Sequence, residues 1–215
     1  MKLLESEKNV RALTSMDVLL SVAVVVIIAL LLLGASGRQP RSPRINCLTN
    51  LKQIGLGFRI WSNDHAEHFP WTVPQSNGGT LEFAMSTQVW RHFEIASNEW
   101  NSPKIFACPS DSGRIKARSW EPQISNQNLS YFVGLDADET KPQTILSGDR
   151  NLTTNGLILS GVISIHNANA VGWTTGFHPD GGNIGLGDGS VMQVSGKAVF
   201  QCVSNAGLPL RLSIP

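Results

Sequence analysis

The stretch Arg11–Ala35, RALTSMDVLLSVAVVVIIALLLLGA, decides how the rest of the chain is read. It holds one acid, Asp17, and then no charge until Arg38, and Val18–Leu33 is almost purely Val, Ile, Leu and Ala. At about 1.5 Å of rise per residue, the uncharged run from Val18 to Gly37 reaches across a hydrocarbon core of roughly 30 Å. The spacing therefore predicts an N-terminal transmembrane helix with a polar body behind it. Three readings of such a segment compete. A cleavable secretory signal would end near Ala35-Ser36-Gly37. A plain signal anchor would stay in place, but it gives no reason for an acid inside the run, where an ionised carboxylate is costly. The third reading gives Asp17 a partner.

Working outward, the 215 residues are 41% hydrophobic and only 15% charged, which suits one helix and one globular domain. A net charge of +1 leaves no clustered basic footprint for nucleic acid. Lys2, Lys8 and Arg11 precede the apolar run and Arg38, Arg41 and Arg44 follow it, so the positive-inside comparison is a near tie. Pro40 and Pro43 each remove a helix hydrogen bond, which predicts a linker over residues 38–45 and a body over 46–215. Ile45, Leu48, Leu51, Ile54, Phe58 and Trp61 recur at three-to-four spacing and predict an amphipathic helix from Asn46 to Asp64.

A weaker helical stripe covers Thr87–Ser97. Short strands are expected at Ser130–Leu135, Gln143–Ser147, Gly156–Ser160, Asn183–Gly187 and Ser190–Val194. The last two flank Asp188-Gly189, a hairpin signal of the type I′ kind. Lys197–Ala206 reads as a terminal helix stopped by Gly207. A helix followed by an antiparallel sheet is an α+β arrangement.

Four segments carry a resemblance. Ala12-Leu13-Thr14-Ser15-Met16-Asp17-Val18-Leu19-Leu20 resembles the class III signal of type IV prepilins, with Ala for the usual Gly, Leu for Phe and Asp for Glu. Cys47-Leu-Thr-Asn-Leu-Lys-Gln-Ile-Gly-Leu-Gly57, Phe106-Ala-Cys-Pro-Ser-Asp111, and His178 followed after nine residues by Asp188-Gly189 resemble segments of the prepilin-like, type II secretion pseudopilin-like proteins of Planctomycetes and Verrucomicrobia. The resemblance implies a pilin-like fold, with a leader over residues 1–12 cut between Ala12 and Leu13. It implies methylation of the Leu13 amine and an assembly helix over 13–37 that stays in the membrane. Asp17 would then pair with the amine of a neighbouring subunit.

The implied partners are other pseudopilin subunits, a prepilin peptidase and an inner-membrane secretion platform. The implied location is the inner membrane, single-pass, with the globular domain in the periplasm. The implied work is mechanical, so no catalytic residue is expected and the chain is not read as an enzyme. The resemblance also favours a disulfide between Cys47 and Cys108, leaving Cys202 free.

His178, Asp188 and Gly189 suit hairpin structure, or else a ligand or metal site. His65 and His68, three apart near a helix end, read as solvated surface rather than a metal pair. Asp136, Asp138, Glu139, Asp180 and Asp188 are oxygen donors of the sort calcium takes, but without EF-hand spacing they read mainly as turns. No metal ligand set is assigned, and calcium is the one cofactor these residues admit. The six tryptophans suit a core or subunit contacts more than a sugar platform. G-x-S-x-G, P-loop and H-E-x-x-H patterns are absent from the sequence. Two further readings stay open: a membrane-tethered module binding polysaccharide or calcium, and a secreted enzyme using His178 and Asp188.

Overall fold

The computed structural model describes residues 14–35, 43–176, 178–179 and 181–215, with the side chains of the first helix described as far as Leu30. The chain divides into two units, Met1–Arg41 and Ser42–Pro215. The first contains helix α1 (Ser15–Ala35), and Thr14 opens it. The Thr14 backbone N–H and hydroxyl both donate to Asp17 Oδ2, at 3.0 and 2.8 Å, while the Asp17 N–H turns back to the Thr14 carbonyl at 2.9 Å. This Thr-x-x-Asp box satisfies groups that a helix N-terminus otherwise leaves open.

Among the described residues no helix is long and apolar enough to cross a membrane. The expected transmembrane helix is corrected accordingly, and so is the single-pass, inner-membrane location with a periplasmic domain that was built on it. A membrane tether for the alternative binding module goes with them. The leader over residues 1–12, the cleavage pair Ala12 and Leu13, and Pro40 lie outside the described residues.

Pro43 behaves differently from the expectation. It is the first residue of α2 (Pro43–Asn63), where its missing N–H is one that the helix would leave unpaired anyway. Arg44 and Ile45 are therefore helical, and the expected linker is shorter at that end. Helix α2 buries Leu51, Ile54, Phe58 and Trp61 of the predicted stripe and adds Cys47, while Ile45 is exposed and Leu48 half-buried.

The stripe packs on a six-stranded sheet. Its strands are β1 (Tyr131–Gly134), β2 (Ile145–Asp149), β5 (Gly161–Ile165), β7 (Gly181–Leu186), β8 (Val191–Ser195) and β9 (Leu210–Ile214), in the order β5-β9-β1-β2-β7-β8. Every pairing is antiparallel. A small second sheet orders β4 (Leu157–Ile158), β3 (Leu152–Thr154) and β6 (Val171–Trp173). The α+β reading with an antiparallel sheet holds.

Alternation along the central strands sends Tyr131, Val133 and Leu146 to the α2 face. Phe132, Ile145, Ile184 and Leu212 go to the opposite face, beneath α4 (Val199–Ala206). Because both faces are covered, β1, β2 and β7 are buried at every position. On the α2 face Phe58 sits in an aromatic cage, with ring centroids 5.2 Å from Trp71, 5.3 Å from Phe93 and 5.2 Å from Trp100. Trp100 lies so close that a Cβ on Gly57 would overlap its indole, which explains a glycine in mid-helix. The helical stripe at Thr87–Ser97 shrinks to α3 (Trp90–Glu94).

The Asp188-Gly189 hairpin forms, but not as a type I′ turn. Gly187, Asp188 and Gly189 make a three-residue connection, closed by Leu186 N–H to Ser190 O at 2.9 Å and Gly189 N–H to Leu186 O at 2.9 Å. Of these residues Gly189 alone has positive φ, +82°, which is the pattern of a type I turn followed by a bulge.

Candidate functional site

Three of the singled-out segments meet at one place. Helix α2 brings Cys47 from its first turns, the Cys108-Pro-Ser-Asp111 turn brings Cys108, and the loop entering β7 brings His178. Cys47 and Cys108 form a disulfide with Cα atoms 5.0 Å apart, spanning 61 residues of sequence. His178 Nε2 lies 3.6 Å from Cys108 Sγ and 3.4 Å from Asp149 Oδ2. Asp149 closes strand β2, and its Oδ2 accepts from the backbone N–H and the side-chain amide of Asn183 at 2.7 and 2.8 Å. Tyr131 donates its hydroxyl to the Cys47 carbonyl at 3.2 Å.

The cluster is sealed: Cys47, Cys108, Asp149, His178 and Asn183 are all at most 2% exposed. Burial raises the Asp149 carboxyl to about 7, against the pull of its Asn183 hydrogen bonds and of Arg44. Burial and the Arg44 charge hold the His178 imidazole below its ordinary value. Burial also pushes the Tyr131 phenol well above its ordinary value. An imidazole and a carboxylate side by side have the makings of an acid–base pair. Both side chains are buried among the described residues.

Around the cluster, Asp111 anchors the cysteine-bearing turn. It takes a bidentate ion pair from Arg150 at 2.7 and 2.8 Å and the Ser130 hydroxyl at 2.8 Å. The turn is thereby pinned where β1 begins and β2 ends, which fixes where Cys108 meets α2.

The structure separates the two halves of the His178…Asp188-Gly189 signature. They sit at opposite ends of β7, with roughly 20 Å of extended chain between them. Asp188 caps its own turn by accepting the Ser190 N–H at 2.8 Å, and its carbonyl accepts from Arg59 at 2.7 Å. An acid–base pair of His178 with Asp188 is therefore not assembled. Asp180 lies outside the described residues.

The acidic turn is taken up by cations of the chain itself: Asp136 pairs with Arg211, Asp138 with Lys141 at 2.8 Å, and Glu139 with Arg59 at 3.0 Å. His65 stacks on Trp61 with centroids 3.6 Å apart, and His68 is exposed. Trp71 and Trp100 belong to the aromatic core.

Sequence reasoning missed Asp149, Asn183 and Arg44. The available signal was a charge ending the otherwise uncharged Ile145-Leu-Ser-Gly-Asp149 run, since an acid at the end of a buried strand needs a reason. No family model, no curated protein and no solved structure matches this chain.

Proposed function

We propose that this chain is a structural subunit that assembles through α1 with the α1 helices of neighbouring copies, in the manner of a pilin-like filament. One observation carries the reading. Every large apolar side chain from Val18 to Leu30 is between 47% and 68% exposed, on all sides of the helix. A helix apolar all round has no solvent face to offer, and a single partner helix would cover only one stripe of it. A bundle in which each α1 is surrounded by several others covers the whole circumference, and copies of the same helix supply the matching surface. The disulfide and the Asp111–Arg150 pair support a mechanical role, because they fasten α2 and its neighbouring turn to the sheet.

The resemblance supplies the rest of the proposal: a prepilin peptidase would cut after Ala12 and methylate Leu13, and secretion-type partners would drive assembly. Two measurements test it. Intact mass and N-terminal sequence of the natively produced chain should show a start at methylated Leu13. Sedimentation of that chain should show high-order assemblies that Val25→Lys with Ile28→Lys disperses to monomer. A wild-type chain that stays monomeric across the micromolar range overturns the assembly reading.

A further inference from the structure

We propose that the Cys47–Cys108 pair is also half of a metal centre. Once the disulfide is reduced, both thiolates, His178 Nε2 and an oxygen of Asp149 hold one zinc-class divalent ion in tetrahedral coordination. The thiols, the imidazole and the carboxylate come from four separate parts of the fold. The Cys47, Cys108 and His178 ligand atoms already lie within 4.8 Å of one another.

Two of the ligand spacings match the edges of a tetrahedral site. With Zn–S near 2.3 Å and Zn–N or Zn–O near 2.0–2.1 Å, tetrahedral edges are about 3.5 Å for S···N and about 3.3 Å for N···O. The observed edges are 3.6 Å from Cys108 Sγ to His178 Nε2 and 3.4 Å from that nitrogen to Asp149 Oδ2. The two sulfurs must part, from bonded contact to about 3.8 Å, and the four donors must close in around the ion.

A second observation is independent of the sulfurs. Asp149 Oδ1 is buried and makes no hydrogen bond among the described residues, although a buried carboxylate oxygen is costly to leave unmet. A disulfide alone has no need of a buried carboxylate and imidazole beside it, whereas a metal ion uses both. Two thiolates and a carboxylate around a dication leave one net negative charge. Arg44 is placed to offset it, near enough to bias both Asp149 and His178. Asn183 orients Asp149 through two hydrogen bonds, as outer groups orient metal-binding carboxylates.

The redox step balances with a dithiol as donor. The Cys47–Cys108 bond breaks as the dithiol gives up two electrons and two protons and closes into its own disulfide. Metal binding then displaces the two thiol protons. The oxidised chain keeps the covalent link and the reduced chain replaces it with a coordinate one, so α2 stays fastened to the body in either state.

The test uses the full-length chain, unfolded and reduced with dithiothreitol, desalted without oxygen, and refolded with Co²⁺ as a probe. One Co²⁺ per chain is expected, with tetrahedral d–d bands, a thiolate charge-transfer band, and displacement by Zn²⁺. The oxidised chain should take up none. His178→Ala and Asp149→Asn should each weaken affinity by more than the roughly 10–100-fold that replacing an orienting group costs, and change the d–d spectrum, while Cys202→Ser should alter nothing. A reduced chain that takes up no Co²⁺, refolded or not, overturns the proposal. So do His178→Ala and Asp149→Asn spectra identical to wild type, because the thiols alone would then be the site.

Discussion

Helices α1 and α2 are both 21 residues long, yet they meet opposite fates. In α2 apolar residues recur every three to four positions, so one face is buried on the sheet and the other carries Lys52, Arg59 and Asn63 to water. In α1 the apolar residues run from Val18 with Ser21 alone between them, so no rotation about its axis could bury them on one surface while leaving a polar side out. The difference teaches that the spacing of apolar residues, more than their number, decides whether a helix is satisfied within its own chain. The stability of the 42–215 unit should therefore answer to α2, and assembly should answer to α1.

The largest expected effect lies at the centre of the α2 face. Phe58→Ala empties the aromatic cage and should cost about 3–5 kcal/mol in denaturant unfolding. Val25→Ala in α1 should leave that transition unmoved while weakening sedimenting assemblies. If both substitutions destabilise the body equally, the comparison breaks.

Removing the tie between α2 and the Cys108 turn comes next. For a loop of 61 residues, loss of the disulfide in Cys47→Ala with Cys108→Ala should cost about 4 kcal/mol of stability under metal-free, oxidising conditions. A melting temperature equal to wild type would show that packing alone seats α2.

The third effect depends on pH and concerns the wall of the α2 cage. His92 is fully buried, touching Thr80 Oγ1 through Nδ1 at 2.7 Å and the edge of Trp71, and burial lowers its pKa to about 4. In the unfolded chain an imidazole binds its proton near 6.5, so between these values the unfolded state holds more protons. The contribution is complete above pH 6.5 and is lost as the pH falls to 4, by up to about 3 kcal/mol. His92→Gln should flatten stability against pH in that window relative to wild type. Parallel curves for the two proteins would place the titration elsewhere.

The smallest effect tests the exposed side of α2. Arg59→Ala removes the Glu139 pair and the bond to the Asp188 carbonyl, but the Arg59 side chain is 38% exposed. The loss should stay within about 1 kcal/mol and shrink further in high salt. A larger loss would mean that the hairpin end of β7 depends on α2 more than its exposure suggests.

The sequence by itself determined the elements whose information is local. The stripe from Leu51 to Trp61, the strand pair around the Asp188-Gly189 turn and the helix stopped by Gly207 all follow from spacing or turn chemistry within a few residues. It also marked Cys47, Cys108 and His178 as residues to watch. It gave no warning of β9, which lies between β5 and β1 although the chain reaches it last, nor of the short β3 and β6. Pairing across so long a stretch of chain is chosen by which faces remain to be covered, and no local pattern encodes that choice.

The site divides along the same line. Tertiary structure took His178 away from Asp188 and set it against Asp149 and the cysteines, because the ends of a six-residue strand point to different parts of the body. Residue types were written in the chain. Their meeting was decided by a sheet covered on both faces, which leaves the end of β2 dry and sets the Asp149 carboxyl against His178 and Asn183.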